Sequence, residues 1–371
     1  MEKISELRHK ILELNYRINL KFWKNNLIFL LIVINHIAIT FLYLIYGYSS
    51  YADFSGTDMT EFFILMIRSN FYWAFVYRNS DKIKLFASKI ISDRKTFSNN
   101  ERIIKICRNY ERSENYVLLA FIISGTLSAL MAIVMTFFTK FNNFHLPMNF
   151  YIFFLPLNES SINWWINYFY QANVIAFGSI LANIYFPLTL WLINHSSWGH
   201  EVLISCMKEF HEVVERKSTS NDVEIDHKLN DVVKQSYLVL YDHEEIRQFL
   251  KFNFLIEFSL LAIMFCMSIY TITTSAFVSS FIFTSMLYPI AQVYIYCAIS
   301  SKVMTQVDKL VDVIYETSWY TLNTNQRKAL QLMLCKFQNF KGFNGIFIKV
   351  DMDAFQKLMI DIVSERETKY D

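Results

Sequence analysis

Glycine and proline are scarce in this sequence, which has 7 Gly and 4 Pro among 371 residues. Soluble proteins of this length use both residues at the many turns that join their helices and strands. Such low numbers exclude a chain built from many short elements, and they leave little room for a glycine-rich loop that holds phosphate. The sequence contains no Walker loop, no dinucleotide-binding glycine pattern, no zinc-finger spacing and no HExxH motif. It therefore predicts no enzyme, no cofactor and no metal centre.

Charged residues are also few, at 18%, whereas hydrophobic residues reach 54%, with 35 Phe and 22 Tyr. Few turns and many large apolar side chains are typical of long helices in a lipid bilayer. Apolar runs of roughly 20 residues, the length that crosses a bilayer, are found at 26–46, 60–78, 116–139, 172–194, 254–275 and 278–300. The predicted fold class is therefore all-α, a polytopic membrane protein.

The run at 60–78 is the weakest of these predicted spans, because Arg68, Ser69 and Asn70 interrupt it. A charged side chain is costly in the hydrocarbon region of a bilayer. We therefore expect Arg68 to face protein or water and not lipid.

Lysine and arginine are distributed unevenly along the chain. Nine of them lie between residues 82 and 112, whereas the loop that follows the third span contains only Lys140. The segments before the first span, after the fourth and after the sixth are also basic, and the short connection between the last two spans has no basic residue. Cytoplasmic loops hold the excess of basic residues, so the N-terminus is predicted to be cytoplasmic. This orientation is opposite to that of a G-protein-coupled receptor and disfavours that class.

The predicted outer loops contain one candidate modification site and no cysteine. All 5 cysteines lie in spans or in predicted cytoplasmic segments, so we expect no outer disulfide. Asn158-Glu159-Ser160 lies in the long outer loop and fits the acceptor pattern for an N-linked glycan. The similar Asn194-His195-Ser196 lies at the inner end of a predicted span and should stay unmodified.

Histidines between His195 and His211 raise the alternative of a metal site that includes Glu201 and Cys206. Their spacing does not put three ligands on one face of a helix. We therefore interpret these histidines as solvated side chains of a cytoplasmic segment.

The predicted cytoplasmic segments have the apolar periodicity of amphipathic helices. The pattern covers 235–255, where it continues into the fifth span, and a similar pattern covers 302–335. Residues 195–253 are thus predicted as cytoplasmic helical extensions and residues 301–342 as cytoplasmic anchor helices. Their apolar stripes need other helices to cover them, which indicates a cytoplasmic bundle and an assembly surface.

Several segments carry a resemblance to a known family. The stretch VIYETSWYTLNTNQRKALQLMLCKFQ, with Tyr315 four residues before Trp319, is similar to the C-terminal signature of insect odorant receptors. GFNGIFIKVDMDAF, which follows, resembles that family's short extended step into its last helix. YLVLYDHEEIRQFLKFNF resembles the family's inner helix with a histidine, here His243, and LPMNFYIFFLPLNESSINWWINYFYQ resembles its second outer loop.

The resemblance implies a seven-span subunit of a ligand-gated cation channel with a cytoplasmic N-terminus. Such a subunit works in a heterotetramer with a shared co-receptor, in the plasma membrane of sensory neurons. Residues 1–300 would then be the transmembrane ligand-binding region, and residues 343–371 would begin the pore helix. His243, Tyr315 and Trp319 are the implied anchor or assembly residues.

The resemblance also implies a mostly apolar pocket for small volatile organic molecules among the second to sixth spans. Aromatic and methionine side chains suit such ligands because they recognise them by shape and dispersion. The candidate lining residues are Phe62, Met66, Asn70, Met131, Met135, Phe138, Phe177, Met267, Tyr270, Phe283 and Tyr288. The alternative for each of them is ordinary packing between helices.

The last helix would line the pore, with Phe355, Leu358 and Met359 as candidates. From Asp361 onward the sequence is DIVSERETKYD, and each charge at the centre of a lipid-facing span costs about 2.5–3.5 kcal/mol. Val363-Ser364 is what a splice-donor sequence encodes when it is read in frame, so our hypothesis is that this polar tail is translated intron. A genuine tail instead predicts a non-conducting or modulatory subunit.

Two further classes are weighed against this interpretation. A gustatory receptor belongs to the same superfamily, but the Thr-Tyr and Gln-Phe pattern at the end of such receptors is absent. A multi-span transporter predicts internal repeats with paired glycine or proline breaks. The scattered Gly178, Pro187 and Pro289 do not form such pairs.

Overall fold

The computed structural model describes residues 56–96, 101–143, 161–216, 222–274 and 280–367. The predicted span 26–46 and the glycan acceptor Asn158 lie outside these residues. Within them the secondary structure is α-helical apart from one 3₁₀ turn and one isolated β-bridge. The helices are α1 (Gly56–Arg78), α2 (Ser80–Thr96), α3 (Glu101–Asn143), α4 (Ser161–Glu215), α5 (Asp222–Thr274), α6 (Ser280–Glu316), α7 (Thr324–Gln338) and α8 (Met352–Glu367).

The predicted spans lie within helices that are much longer than a bilayer requires. Helix α4 has 55 residues and α5 has 53, whereas roughly 20 residues cross the hydrocarbon region. The apolar periodicity of 235–255 does continue into the fifth span as one helix, as predicted. Pro187 lies inside α4 without ending it. Among the described residues, the stretch Asp222–Cys266 is long and apolar enough to cross a membrane, judged by length and composition alone.

The chain divides into two compact units. The first contains the described parts of Met1–Ser88, Phe121–Tyr185 and Met264–Met286, and the second contains those of Lys89–Ala120, Phe186–Ile263 and Leu287–Asp371. We refer to them as the first unit and the second unit.

Stacked aromatic rings form the described core of the first unit. Tyr72 of α1 stacks on Tyr185 of α4, with ring centroids 4.1 Å apart, and Phe75 meets the same tyrosine edge-on at 5.6 Å. At the start of α4, Trp164 stacks on Tyr168 at 5.1 Å. Such ring pairs contribute about 0.5–1.5 kcal/mol beyond the burial of their area.

The second unit has an aliphatic core to which α4, α5, α6 and α7 contribute. Its buried members include Leu203, Met207, Phe210, Ile225, Leu229, Val232, Val307, Leu310, Ile314, Leu330, Met333 and Phe337. Full burial of one such side chain contributes about 1.5–3 kcal/mol relative to exposure. This core covers the apolar stripes that the sequence predicts for the anchor helices.

A closed ring of three buried hydrogen bonds joins α3, α4 and α6 in the second unit. The Tyr110 hydroxyl donates to the Ser197 hydroxyl oxygen over 2.8 Å, and Ser197 donates to Gln306 Oε1 over 2.8 Å. Gln306 Nε2 completes the ring by donating to the Tyr110 hydroxyl oxygen over 2.7 Å. Burial is the main cause that raises the pKa of Tyr110, so its hydroxyl stays protonated and available as a donor.

The amphipathic pattern at 302–335 is divided between two helices. Helix α6 ends at Glu316, and a 3₁₀ turn at Trp319–Thr321 precedes α7. Asn323 starts the new helix through a capping box: its side chain accepts from the Gln326 backbone amide, and the Gln326 side chain accepts from the Asn323 amide, both over 2.9 Å. Such caps contribute about 1 kcal/mol, and apolar periodicity alone does not locate them.

The predicted extended step before the last helix is a tight hairpin. Asn344 and Lys349 form an antiparallel bridge, and the Gly345 amide donates to the Ile348 carbonyl over 2.7 Å. Asp351 then caps α8, since its carboxylate accepts from the Ala354 amide over 2.8 Å. Helix α8 continues to Glu367, beyond Ile360, where the apolar part of the predicted pore helix ends.

Candidate ligand site and anchor site

Two of the eleven predicted ligand-binding side chains are described, and both face the interior. Met66 is fully buried and Asn70 is half-buried. They are four residues apart on α1, so they lie one turn apart on the same face of the helix. The side chains of Phe62, Met131, Met135, Phe138, Phe177, Met267, Tyr270, Phe283 and Tyr288 lie outside what the structure describes.

The backbone positions of these eleven residues are described, and they separate by unit. Tyr288 belongs to the second unit, because that unit resumes at Leu287, and the other ten residues belong to the first unit. They come from α1, α3, α4, α5 and α6. Ten of the predicted lining positions therefore share one compact body, as a single pocket requires.

Arg68 is buried against the aromatic core of the first unit, 6% exposed. Its guanidinium carbon lies 5.3 Å from the centroid of the Tyr72 ring, a distance at which a cation is attracted to the ring face. Of the two surroundings expected for this charge, protein or water, the structure gives protein. Arg68 and Tyr72 are four residues apart on α1, so they lie one turn apart on the same face of the helix.

The start of α4 contributes buried polar and aromatic groups that were not among the predicted site residues. Trp164, Asn167, Tyr168 and Gln171 are all buried in the first unit. Asn167 Nδ2 donates to the Asn163 carbonyl over 2.8 Å. The sequence signal for them was the presence of Asn and Gln side chains among aromatic ones in this segment. An amide in apolar surroundings is costly without a hydrogen-bond partner, so such residues indicate a structured polar site.

His243 is an internal anchor of the second unit. Its Nδ1 lies 2.7 Å from the Ser196 hydroxyl, and its Nε2 lies 2.9 Å from the Lys341 carbonyl. The carbonyl can only accept, so Nε2 carries the proton and Nδ1 accepts from the serine. Burial is the main cause that lowers the pKa of His243 to about 3. The neutral ring therefore joins α4 and α5 to the segment that follows α7.

A second contact fastens the hairpin to α5. Arg247 donates to both carboxylate oxygens of Glu244, over 2.8 and 2.7 Å, and to Asn344 Oδ1 over 2.9 Å. The hydrogen bond with Arg247 is the largest cause that lowers the pKa of Glu244 to about 2. Sequence analysis did not single out Arg247, whose hairpin partner lies far along the chain.

The two other predicted anchor residues lie on the surface of the second unit. Tyr315 is 55% exposed and Trp319 is 50% exposed. The Gln338 side chain donates to the Tyr315 hydroxyl over 2.9 Å, and Tyr320, beside Trp319, is also exposed. Neither aromatic side chain is needed for the core of this chain.

The predicted pore residues lie on α8 in the second unit. Phe355, Leu358 and Met359 are each half-buried. The ring of Phe355 packs edge-on against Tyr294 of α6, with centroids 5.5 Å apart. This contact holds the start of α8 against α6 and leaves part of each residue exposed.

The interpretation of the histidines between 195 and 211 as solvated is wrong for two of them. His195 and His200 lie within α4 and are buried, while His211 is partly buried. The segment is not a loop but part of a continuous helix whose two faces are both covered. His195 stacks on Trp198 with centroids 5.4 Å apart, and His200 meets Phe340 edge-on at 5.1 Å.

These features define a helical protein with an aromatic first unit and a second unit built by helix extensions. The sequence matches the profile of the 7tm Odorant receptor family over residues 56–360, and the chain belongs to that family. It is accordingly a membrane receptor and not an enzyme. No curated protein sequence matches the chain significantly.

Two solved structures have a similar fold. The insect olfactory receptor OR5 from Machilis hrabei matches with a TM-score of 0.67 and 11% sequence identity, over 92% of this chain and 87% of that chain. The same receptor in complex with eugenol matches with a TM-score of 0.69 and 10% identity, over 92% and 89%. Identities this low support a shared fold alone.

Proposed function

We propose that this chain is the ligand-binding subunit of an odorant-gated cation channel. It binds small volatile organic molecules in the first unit and gates cation flow in a heterotetramer with a shared co-receptor. Its N-terminus is cytoplasmic, and it works in the plasma membrane of sensory neurons. The observation that carries this proposal is the family match across residues 56–360.

The composition of the first unit supports an apolar ligand of modest size. Met66 offers a polarizable surface that adapts to a ligand's shape, and Asn70, one turn away, offers a single amide for orientation. Pockets for small molecules combine these two features. The fold is also shared with a receptor whose structure holds eugenol.

The surface of the second unit supports assembly with other subunits. Tyrosine and tryptophan are enriched at protein interfaces. Tyr315 at the end of α6 and Trp319 and Tyr320 in the following 3₁₀ turn are all exposed. The half-buried Phe355, Leu358 and Met359 on α8 leave surface that other subunits would cover around a pore. Residues 343–371 therefore serve as the start of the pore helix in this proposal.

The direct test is co-expression with an odorant co-receptor and measurement of current against a panel of volatile compounds. We expect Met66→Ala to change the rank order of responses, since a cavity at a pocket wall favours larger ligands. Asn70→Leu should lower the response to ligands that carry a hydrogen-bonding group by about two- to tenfold, because one such bond contributes roughly 0.5–1.5 kcal/mol.

The matched control is Met66→Leu, which nearly conserves volume and costs less than about 1.5 kcal/mol in a core. Responses are normalised to receptor at the cell surface, which separates pocket effects from folding effects. A uniform loss across the panel, with rank order preserved in Met66→Ala, would assign Met66 to packing. Surface expression with the co-receptor and no current from any compound would contradict the proposed function.

A further inference from the structure

Three potential metal ligands from three helices converge in the second unit. They are Asp93 of α2, His195 of α4 and Asp242 of α5, and their ligand atoms all lie within 4.8 Å of one another. His195 Nε2 is 3.8 Å from Asp93 Oδ2 and 3.9 Å from Asp242 Oδ2. The residues are 47 or more positions apart in the sequence. They meet because the three helices pack together, and not because they are close in the chain.

The two distances from His195 are too long for hydrogen bonds, which join nitrogen and oxygen at about 2.7–3.2 Å. They suit two atoms that share a cation. Ligands bound to one metal at about 2.0–2.2 Å lie roughly 3–4 Å apart, depending on the angle between the bonds. A cation therefore fits between the imidazole and the carboxylates after small movements of the side chains.

The charge around the cluster favours a divalent ion. Lys89 forms an ion pair with Asp242 Oδ1 and lies 4.0 Å from Glu245 Oε2. Arg94, the other nearby cation, is engaged by Glu114 at 2.9 Å and Glu111 at 4.0 Å. The single positive charge of Lys89 thus faces Asp93, Asp242 and Glu245, which leaves two negative charges uncompensated. Lys89 also uses the other oxygen of Asp242 and leaves Oδ2 to face His195.

Burial and stacking fix the orientation of the His195 ring. It is buried and stacks on Trp198 at an interplanar angle of 21°. Among the residues that the structure describes, His195 Nδ1 has no hydrogen-bond partner, so its polar neighbours lie on the Nε2 side. One nitrogen of the ring thus faces two carboxylates, while the rest of the ring packs.

We propose that Asp93, His195 and Asp242 form a binding site for a divalent transition metal of the Zn²⁺ type. Imidazole together with carboxylate is a ligand set for this class of ion, and a water molecule would complete a tetrahedral shell. The metal fastens α2, α4 and α5 to one another and stabilises the second unit. This proposal is independent of the odorant and of channel function.

The test uses the full chain, purified in detergent and treated with a chelator, with Zn²⁺ as the probe. Calorimetric titration should give one Zn²⁺ per chain, and added Zn²⁺ should raise the temperature of thermal unfolding. His195→Gln and Asp93→Asn should each weaken binding by at least about 100-fold, since loss of even an outer-shell partner costs about 10–100-fold. Both variants should also lose the thermal shift.

The matched control is His227→Gln. His227 forms an exposed contact with Asp231 on α5, with Nδ1 3.3 Å from Oδ2, so this variant removes an imidazole beside a carboxylate but not one from the cluster. It should bind Zn²⁺ as tightly as the wild type. Co²⁺ serves as a spectroscopic probe of the site, because the intensity of its visible absorption indicates four-coordination. This absorption should appear in the wild type and be lost in the cluster variants.

Two results would overturn the proposal. One is a wild-type chain that binds no Zn²⁺, which would leave the cluster as an ion-pair network around Lys89. The other is wild-type affinity in whichever of the two cluster variants folds, which would place the bound metal elsewhere. Asp93→Asn guards against a folding defect of the buried histidine variant, because Asp93 is 35% exposed and lies at the edge of the cluster.

Discussion

His195 and His200 lie on the same buried stretch of α4, yet they meet different neighbours. His195 faces two carboxylates, whereas the His200 ring is surrounded by Phe337, Phe340 and His243. His200 Nδ1 donates a hydrogen bond to the Ser196 carbonyl over 2.7 Å. Burial is the main cause that lowers the pKa of His200 to about 4, against the smaller opposite effect of this hydrogen bond.

The lowered pKa of His200 makes the free energy of unfolding depend on pH. Because the folded pKa lies below the unfolded value of 6.5, the unfolded chain binds the proton more tightly. The contribution of neutral His200 is therefore complete above pH 6.5 and is lost as the pH falls toward about 4. We expect a slope of about 1.4 kcal/mol per pH unit from this residue in that window.

Thermal unfolding of the purified chain at a series of pH values measures this slope. His200→Gln should lower the slope between pH 4 and 6.5 by about 1.4 kcal/mol per pH unit. A slope from His243, whose pKa is also lowered, should remain. The exposed His227→Gln should leave the slope unchanged. Equal slopes in the wild type and His200→Gln would show that His200 titrates alike in the folded and unfolded states.

The hairpin after α7 lies so close to α5 that a side chain added at Gly345 would press on the helix backbone. A Cβ atom built on Gly345 lies 3.3 Å from the backbone nitrogen and 3.5 Å from the Cα of Leu255. Backbone atoms inside a helix do not move aside easily. The conformational cost of a glycine is thus offset here by the close approach that it permits.

Gly345→Ala should accordingly destabilise the second unit by about 1–3 kcal/mol, the usual cost of overpacking. Its matched control is Gly199→Ala within α4, where a new Cβ would lie 3.4 Å from a side-chain methyl of Val239 and touch no backbone of another segment. Alanine is favoured over glycine in a helix by about 1 kcal/mol, so Gly199→Ala should be neutral or stabilising. Chemical or thermal unfolding of both variants checks the contrast, and equal effects would contradict the role assigned to Gly345.

Across the whole chain, periodicity predicted the elements better than it predicted their partners. The apolar runs and the amphipathic stretch at 235–255 were sufficient to predict long helices, because those patterns are local. The interruption at Arg68 likewise predicted a charge that faces protein or water and not lipid, and the sequence did not decide between protein and water. The division of 302–335 was not predicted, because it depends on the hydrogen bonds of the Asn323 cap and not on periodicity.

Contacts between distant segments could not be predicted from the sequence, and the reason is physical. His195 offers the same local pattern whether its ring meets water or two carboxylates, and Asp93 and Asp242 reach it only after α2, α4 and α5 pack. Tyr288 similarly looks like the other candidate lining residues, yet it belongs to the second unit. Predicting a contact between two distant residues requires the positions of both residues in the fold, which local sequence patterns do not supply.

The orientation of the whole molecule leads to a prediction about glycosylation. Asn158 precedes α4 in the predicted outer loop, whereas Asn194 lies 36 positions later, buried within α4 at the predicted inner end of the fourth span. Glycans are added only on the side of the membrane that faces the secretory lumen, at exposed acceptor sites. With a cytoplasmic N-terminus, we expect a glycan on Asn158 and none on Asn194.

Expression in cells and digestion with a glycosidase tests this expectation. The wild type and Asn194→Gln should both lose apparent mass on digestion, whereas Asn158→Gln should run at the digested position before treatment. A shift that disappears in Asn194→Gln and persists in Asn158→Gln would reverse the orientation. It would then put the basic segments between the spans on the outer side, against the distribution of Lys and Arg that membrane insertion favours.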